Sequence, residues 1–298
     1  MVTSSSATSN ASILNFSLFT LHFPLFTLHF KLYIPMSLNR WQLHSRVTTF
    51  TTTRPGGYSQ GEYGEFNINP WVDDDPEAIR RNRQLLCQIL QLPDVSHIIL
   101  PHQVHRIEYF QLRRDYFDMT EDAQKQALEG IDIVLTDLPG VCIGISTADC
   151  VPILLYDSVH HAACAIHAGW RGCVQGAISR GIQAMQEAYS TQPKNLHALI
   201  GPHISAERYP VGAEVLDEFI RAGFDVKPLI TPHPSPSGPR WNLDLRTFCL
   251  HELQRAGIHP DSIVNIHQCT YNLSDLYFSA RRQGIACGRN YTGIILES

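Results

Sequence analysis

The amino-acid sequence predicts a mixed fold of the α+β class, formed by one domain. Two observations predict it. The middle of the chain holds short apolar runs separated by turns or polar loops, which is typical of strands. Helical segments accompany these runs without the regular strand-helix alternation of a doubly wound fold. With 298 residues, 44% hydrophobic and 17% charged, the chain has ample material for a core.

The elements before this strand-rich middle are a loop and two helices. Residues 54–69 are rich in glycine and predict a loop. Residues 76–92 predict a helix, because their apolar side chains recur near helical spacing. Thr120 is a suitable N-cap for a second helix, with two acidic residues in its first turn and Gly130 as its stop.

The remaining elements follow in order. Short apolar runs predict strands over residues 131–135, 141–146, 151–156 and 162–167. Apolar residues from Val174 to Tyr189 form one face of a helix that begins near Gly172. Later segments predict a strand, two helices that each end before a glycine, and two final strands, over residues 196–200, 212–222, 245–256, 263–266 and 293–296. The Pro/Ser-rich residues 231–239 predict an exposed loop.

The first 35 residues differ in composition from the rest. They carry almost no charge and repeat the six residues LFTLHF at 18–23 and 25–30. No basic region precedes them, as a signal peptide requires, and polar residues interrupt the run that a membrane helix requires. We expect Met36 to be the native start, residues 1–35 to be a non-native or disordered extension, and residues 36–298 to form a single catalytic domain. The alternative is a targeting leader or a membrane-associated arm.

Charge and cysteine usage limit the function classes. The net charge is −5 and no Lys/Arg block is present, which argues against an extended nucleic-acid surface. The eight cysteines are scattered without a CxxC pair, and a disulfide framework is not expected in a chain of this length. These features predict a cytoplasmic protein without nucleic-acid or membrane partners.

A candidate metal site lies in the strand-rich middle. Cys150 stands at the entrance of one predicted strand and His167 at the end of another. Upstream, His102 and His105 are three residues apart, so on a strand only one of them could reach a shared metal. A Cys/His/His set on strand ends suits zinc or copper with an open position. The plainer interpretation is a buried thiol and a histidine that bonds a carbonyl.

Two further residues adjoin these ligands. Arg171 lies between glycines at the predicted helix start, where free N–H groups and a guanidinium favour a phosphate. Asp149 could orient a ligand, act as acid or base, or cap a turn. Arg281 and Arg282 follow an aromatic pair and could send one side chain to a substrate.

These motifs resemble the laccase-domain family, whose members are called polyphenol oxidase, purine nucleoside phosphorylase or peptidoglycan-editing factor. The matches span about residues 50–295 and comprise TRPGGYSQG at 53–61, FNI at 66–68, QVH at 103–105, TADCVPILLYD at 147–157, AIHAGWRG at 165–172, IGPHIS at 200–205, YPVG at 209–212, WNLDL at 241–245, CTY at 269–271 and FSARRQG at 278–284. The resemblance implies a single-domain, four-layer α/β/β/α YfiH-like fold with one zinc, copper being the other metal considered.

Carried onto this chain, the family's metal ligands are His105, Cys150 and His167, with His102 outside the set. We take Asp149 and Arg171 as candidate catalytic residues. Candidate substrate-binding residues within the matched motifs are Arg54, Asn67 and Arg281. Three departures from the family are Arg106 where glycine usually stands, a longer segment from 106 to 130, and Ala280 in place of a tyrosine.

The resemblance implies three competing activities. We favour zinc-dependent phosphorolysis of adenosine, inosine and methylthioadenosine, with adenosine deamination, so the expected partners are purine nucleosides and phosphate. The second is copper-dependent oxidation of phenols, which ordinarily needs several coppers and closely spaced histidines. No HxH repeat is present, and no methionine lies near the cluster in sequence. The third is a peptidoglycan-editing role or a non-enzymatic binding module.

Overall fold

Two β-sheets form the centre of the computed structural model, which describes residues 38–236 and 238–298. In chain order, the strands within these residues are β1 (Asn39–Trp41), β2 (Val47–Thr51), β3 (Ile98–Ile99), β4 (Tyr109–Gln111), β5 (Ile133–Thr136), β6 (Cys142–Thr147), β7 (Val151–Asp157), β8 (Ala162–Ala168), β9 (Leu196–Ile200), β10 (Pro210–Val211), β11 (Ile230–His233), β12 (Arg240–Leu243), β13 (Ile263–Asn265) and β14 (Asn290–Leu296). The helices are α1 (Pro76–Leu90), α2 (Glu121–Ala127), α3 (Trp170–Gln175), α4 (Ala177–Tyr189), α5 (Ala213–Arg221), α6 (Leu245–Arg255) and α7 (Ala280–Gln283).

The larger sheet has six strands in the order β13-β9-β7-β8-β5-β4, and the second has five in the order β1-β2-β14-β6-β3. Pairing is antiparallel at the centre of both sheets and parallel at three outer pairs, β13 with β9, β4 with β5 and β3 with β6. A small third sheet joins β10, β12 and β11. This mixture of pairings agrees with a sequence that lacks regular strand-helix alternation.

Alternate side chains along the strands of the larger sheet face opposite layers of the fold. One face of β7 and β8 packs on α4, α5 and α6 through Ile153, Cys164 and Ile166. The opposite face packs on β6 and β14 of the second sheet, and its side chains include Leu154, Tyr156 and Ala165. The outer face of the second sheet packs on α1. The four layers are therefore α/β/β/α, as the family resemblance implied.

The predicted cap at Thr120 is confirmed, α1 has a cap that was not predicted, and one predicted helix is divided. The Asp75 side chain caps α1, and the Thr120 side chain accepts a hydrogen bond from Ala123 N–H at the start of α2. The helix predicted to begin near Gly172 is instead two helices, α3 and α4. Gly176 interrupts them with φ of 84°, a left-handed conformation that glycine adopts without strain.

Other predicted bounds hold within a few residues, with one correction. Residues 231–239, predicted as a loop, include most of β11. The predictions for residues 1–35 and a start at Met36 lie outside the described residues. Within residues 38–236 and 238–298, no helix is both long and apolar enough to cross a lipid bilayer.

Candidate metal centre

Two of the three predicted ligands meet because β7 and β8 are antiparallel. Val151 pairs with Ala168, and Pro152 pairs with His167. The entrance of β7, where Cys150 lies, therefore adjoins the exit of β8, where His167 lies. Alternation along β8 directs His167 to the side that faces the second sheet, while Ile166 points to the helices.

The third predicted ligand, His105, lies on the loop between β3 and β4. The donor atoms of His105, Cys150 and His167 all lie within 4.8 Å of one another. Cys150 Sγ and His105 Nε2 are 3.9 Å apart, and the two imidazole centroids are 4.7 Å apart. Zinc bonds of about 2.0–2.3 Å place tetrahedral ligand atoms roughly 3.3–3.7 Å apart. The cluster is thus close to, and slightly wider than, a zinc coordination sphere.

A buried carboxylate holds the His105 loop in position. His105 has φ of 63°, which is uncommon for a residue with a Cβ. Asp132, which is fully buried, accepts backbone N–H bonds from Val104, His105 and Arg106 at 3.1, 3.1 and 2.8 Å. These three bonds stabilise the unusual loop conformation that brings the His105 imidazole to the cluster.

The same carboxylate orients the second histidine. Asp132 Oδ1 accepts a hydrogen bond from Nδ1 of His167 at 2.6 Å. Burial raises the pKa of Asp132, but the bond with His167 and the backbone N–H groups outweigh this and lower it. Because the ionised carboxylate has no proton to donate, Nδ1 carries the proton and Nε2 of His167 is left as the ligand atom.

The glutamine before the histidine loop joins it to the second sheet. Gln103 Nε2 donates to Ser146 O at 2.9 Å, and Ser146 N–H donates to Gln103 Oε1 at 2.9 Å. This side chain therefore makes the same paired bonds to the edge of β6 that a strand residue would make. It places the loop where β6 and β7 approach each other.

Gly169 keeps the space between the ligands open. A Cβ at this position would stand 3.0 Å from His105 Cδ2, 3.1 Å from Cys150 Sγ and 3.5 Å from His167 Nε2. Its φ of −72° is ordinary, so the backbone does not require glycine. The lack of a side chain is required instead by the three converging donors. With its soft and borderline donor set, this site fits zinc or copper.

Electrostatics favour the ligating form of the cysteine. Burial raises the pKa of Cys150, but the charge of His167 and hydrogen bonds with both histidines lower it to about 6. Burial lowers the pKa of His167, but Cys150 and Asp132 raise it to about 10. Without a metal, the pair is therefore a thiolate beside an imidazolium at neutral pH. The thiolate is the form that binds metals.

A cavity of about 520 Å³ opens onto the three ligands. This volume is in the usual range for a small organic ligand. Within the described part of the chain, Arg171, Arg281 and Arg289 line it, together with one carboxylate, that of Asp149. Among the residues that the structure describes, none of these three guanidinium groups forms an ion pair with a carboxylate. The cavity is therefore electropositive and suited to an anion.

The three arginine side chains differ in how many of their N–H donors already form hydrogen bonds. Arg289 donates to the carbonyls of Ile285, Cys287 and Gly288, so it stabilises its own loop. Arg281 donates to Pro210 O at 2.9 Å. Arg171 is exposed and makes a cation–π contact, 4.4 Å from the Trp170 ring centroid. Arg171 is the guanidinium with the most unused donors. Its helix has six residues, so the dipole contributes less here than the predicted long helix would.

Asp149 lines the cavity, but both of its oxygens are occupied. Oδ1 accepts from the Thr270 hydroxyl at 2.7 Å, and Oδ2 accepts from the Arg281 N–H at 2.7 Å. Asp149 itself has φ of 93°. These contacts favour the positioning role over the acid or base role among the alternatives predicted for it. They join the turn before Cys150 to the start of α7.

The structure separates Arg54 and Asn67 from the cavity. Arg54 donates to Gly64 O at 2.6 Å and to Ser274 O at 3.0 Å. Asn67 is fully buried and donates to Asp74 Oδ2 at 2.8 Å. Neither side chain lines the cavity, since both join loops around it. Their role in substrate binding stays a prediction.

His102 lines the cavity without joining the ligand cluster, in agreement with its predicted place outside the set. Its ring stacks on Trp71 at 4.7 Å and 22°, and its Nδ1 is 2.7 Å from Glu129 Oε1. The sequence reasoning did not identify Trp71, Arg289 or Asp132. For Asp132 a signal was present, since an acidic residue between Ile131 and Ile133 at a strand start is unusual unless it is paired.

The sequence is similar to a known protein family and to proteins named as purine nucleoside enzymes. Residues 48–297 match the family model described as multi-copper polyphenol oxidoreductase laccase. A protein of Bacteroides thetaiotaomicron named purine nucleoside phosphorylase is 37% identical over 255 residues, covering 85% of this chain and 93% of that protein. A protein named adenosine deaminase RL5, from an unknown prokaryotic organism, is 33% identical over 248 residues, covering 83% of this chain and 93% of its own.

Solved structures share the fold. The hypothetical protein YfiH of Bacillus licheniformis superposes with a TM-score of 0.77 at 26% identity, covering 84% of this chain and 93% of its own. YlmD of Geobacillus stearothermophilus gives a TM-score of 0.77 at 26% identity, covering 87% of this chain and 94% of its own. The four-layer prediction is therefore confirmed by solved neighbours as well as by the packing of the cores.

Proposed function

We propose that this chain, which belongs to the multi-copper polyphenol oxidoreductase laccase family, is an enzyme that processes purine nucleosides. In finer terms, we propose zinc-dependent phosphorolysis of adenosine, inosine and methylthioadenosine, together with deamination of adenosine. The observation that carries this proposal is the convergence of His105, Cys150 and His167 on an open, electropositive cavity. The names of the two relatives described above support the substrate class.

The ligands and the cavity divide the chemistry between them. His105, Cys150 and His167 would hold zinc, which supplies Lewis acidity and lowers the pKa of water when three protein ligands leave a position open. Asp132 fixes the tautomer of His167 and the conformation of the His105 loop. A carboxylate that orients a metal-binding imidazole also makes that imidazole more basic.

The arginines supply the anion site that phosphorolysis requires. Arg171 is proposed to bind the phosphate, because it has no carboxylate partner among the described residues and lines the cavity. Arg281 is held by Pro210 O and lies 5.0 Å from the Tyr209 ring centroid, so it presents a fixed cation to the same space. Deamination needs no phosphate and therefore depends less on these guanidinium groups.

Copper-dependent oxidation of phenols is disfavoured by the arrangement of ligands. Within residues 38–236 and 238–298, one cluster of three or more metal-type side chains is found, whereas multicopper oxidation requires several. Met185 is fully buried against the helices, and Met119 is exposed on a loop. Neither lines the cavity, so neither is placed as an axial copper ligand.

Elemental analysis and a matched pair of variants test the proposal. Wild-type protein is expected to hold one zinc per chain and to convert adenosine without consuming oxygen. Cys150→Ala should lose the zinc and the activity. Cys269→Ala, which alters another half-buried cysteine outside the cluster, should keep both. Zinc undiminished in Cys150→Ala, or oxygen uptake with a phenol as the main activity, would contradict the proposal.

A further inference from the structure

A second cavity of about 580 Å³ lies on the far side of Trp71. Of the residues that the structure describes, Trp71 alone lines both this space and the metal cavity. Helix α1, the edge strand β3 and helix α2 surround it. Its apolar wall includes Ile98, Leu100 and Leu128, each at most 7% exposed. A concave space of this volume with apolar walls has the form of a small-molecule site.

The polar side of this cavity is formed by a cation without a counter-ion. Arg83 projects from α1, and its Nη2 donates to Val95 O at 3.4 Å and to Ile98 O at 3.1 Å. Its Nε and Nη1, which carry three of the five guanidinium hydrogens, have no acceptor among the described residues. No described carboxylate lies within ion-pair distance of it.

Burial increases the cost of leaving this charge unpaired. Burial lowers the pKa of the Arg83 guanidinium, because a cation is less well solvated there than in water. Arg83 is half-buried, and a guanidinium in such a position with unused donors is stabilised by an anion that accepts from them. The Arg83 side chain is therefore suited to bind an anion and does not form an ion pair with another described residue.

Two neighbours complete the polar wall. The Tyr116 ring is 5% exposed, and its hydroxyl has no hydrogen-bond partner among the described residues. Lys125 adds a second cation at the rim, opposed by Glu121. Both rim residues are exposed, so solvent screens them, and Arg83 with Tyr116 defines the inner binding groups.

We propose that this second cavity binds a small organic anion, a carboxylate or phosphate ester attached to an apolar ring. The anionic group contacts Arg83 and the Tyr116 hydroxyl, and the ring packs against the wall that Leu100 and Trp71 form together. The site does not depend on the proposed nucleoside activity. It shares no charged residue with the metal cavity, since Arg83 and Lys125 are absent from the lining of that cavity.

The experiment titrates the full-length protein with 1-naphthoate, 1-naphthyl phosphate and the neutral 1-naphthamide, by calorimetry and by tryptophan fluorescence. At least one of the two anions should bind and quench tryptophan emission, and the amide should bind at least about tenfold more weakly. The tighter anion identifies the ligand's charged group. Arg83→Gln should weaken the anion about tenfold or more. Arg80→Gln, on the same helix but paired with Glu77 in solvent, should not.

Two more variants keep the test informative. If Arg83→Gln does not fold, Tyr116→Phe removes one hydroxyl and should weaken binding a few-fold. Arg281→Gln alters the metal cavity and should leave this binding unchanged. Equal affinity for naphthoate, naphthyl phosphate and naphthamide would overturn the proposal. So would a loss of anion binding in Arg281→Gln but not in Arg83→Gln or Tyr116→Phe, or the absence of binding at millimolar concentration.

Discussion

Asp132 and His167 are joined by a hydrogen bond of 2.6 Å between two fully or almost fully buried side chains. The same carboxylate accepts the N–H of His105. One residue therefore sets the tautomer of one ligand and the backbone of another. Since the three ligands come from separate chain segments, Asp132 is the group that couples the histidine loop to the end of β8.

Asp132→Asn should weaken metal binding about 10- to 100-fold, because the amide accepts less strongly and no longer supports the basicity of His167. Zinc retention against a competing chelator measures this. Asp157→Asn is the matched control, since Asp157 is also buried and holds His160 and two backbone N–H groups at the opposite end of β7. Equal zinc loss in the two variants would mean that general stability, rather than ligand orientation, is affected.

Gly169→Ala should abolish metal binding while the protein stays folded. The added methyl would stand 3.0 Å from His105 and 3.1 Å from Cys150, whereas the backbone φ of −72° accepts alanine. Gly176→Ala should behave in the opposite way. Its methyl meets nothing within 4 Å, but its φ of 84° strains alanine by about 1–2 kcal/mol. Elemental analysis together with thermal unfolding separates the two outcomes. A zinc-loaded Gly169→Ala protein would show that the space is not needed.

Arg171→Ala should weaken phosphate binding in the phosphorolytic reaction by about 10- to 100-fold, the effect of losing a charge-assisted contact. Deamination should fall much less, because it uses no phosphate. Steady-state kinetics of both reactions measure the difference. Arg180→Ala, which removes an arginine that lies over Tyr109 outside the cavity, serves as the control. Equal losses in both reactions of Arg171→Ala would show that Arg171 shapes the whole cavity.

In metal-free protein, alkylation of Cys150 by iodoacetamide should follow a pH midpoint near 6, because the histidines lower the pKa of this thiol to about 6. The thiolate is present above that midpoint, so its contribution to stability is lost as the pH falls through it. Cys164, whose pKa is raised by full burial, should not react. Mass spectrometry of the modified peptides measures both. A midpoint near 9 for Cys150 would show that the histidines do not influence it.

The sequence predicted the strands and helices more fully than the arrangement of the candidate site. Strand runs such as that from Val151 to Tyr156 are continuously apolar, which is typical of strands buried on both faces, so their existence and bounds were predictable. The break at Gly176 was missed, because the helical periodicity continues across it. The pairing that brings Cys150 beside His167 depends on sheet topology, which local patterns do not specify.

The site residues show the same limit. Cys150 and His167 stood out because polar residues at strand ends are informative, but the choice of His105 over His102 came from family resemblance. Arg54 and Asn67 belong to matched motifs, yet they support loops through Gly64 O, Ser274 O and Asp74. A motif shared across a family marks structural residues as readily as ligands. Asp132 acts through tertiary hydrogen bonds, which the sequence alone does not display.

Product identification with adenosine tests the central claim most directly. Purified, zinc-loaded protein is incubated with adenosine, once with phosphate and once without, and the products are separated by chromatography. We expect adenine and ribose 1-phosphate to form only when phosphate is present, and inosine to be the product when it is absent. Adenosine left unchanged in both incubations, with zinc confirmed at the site, would contradict it.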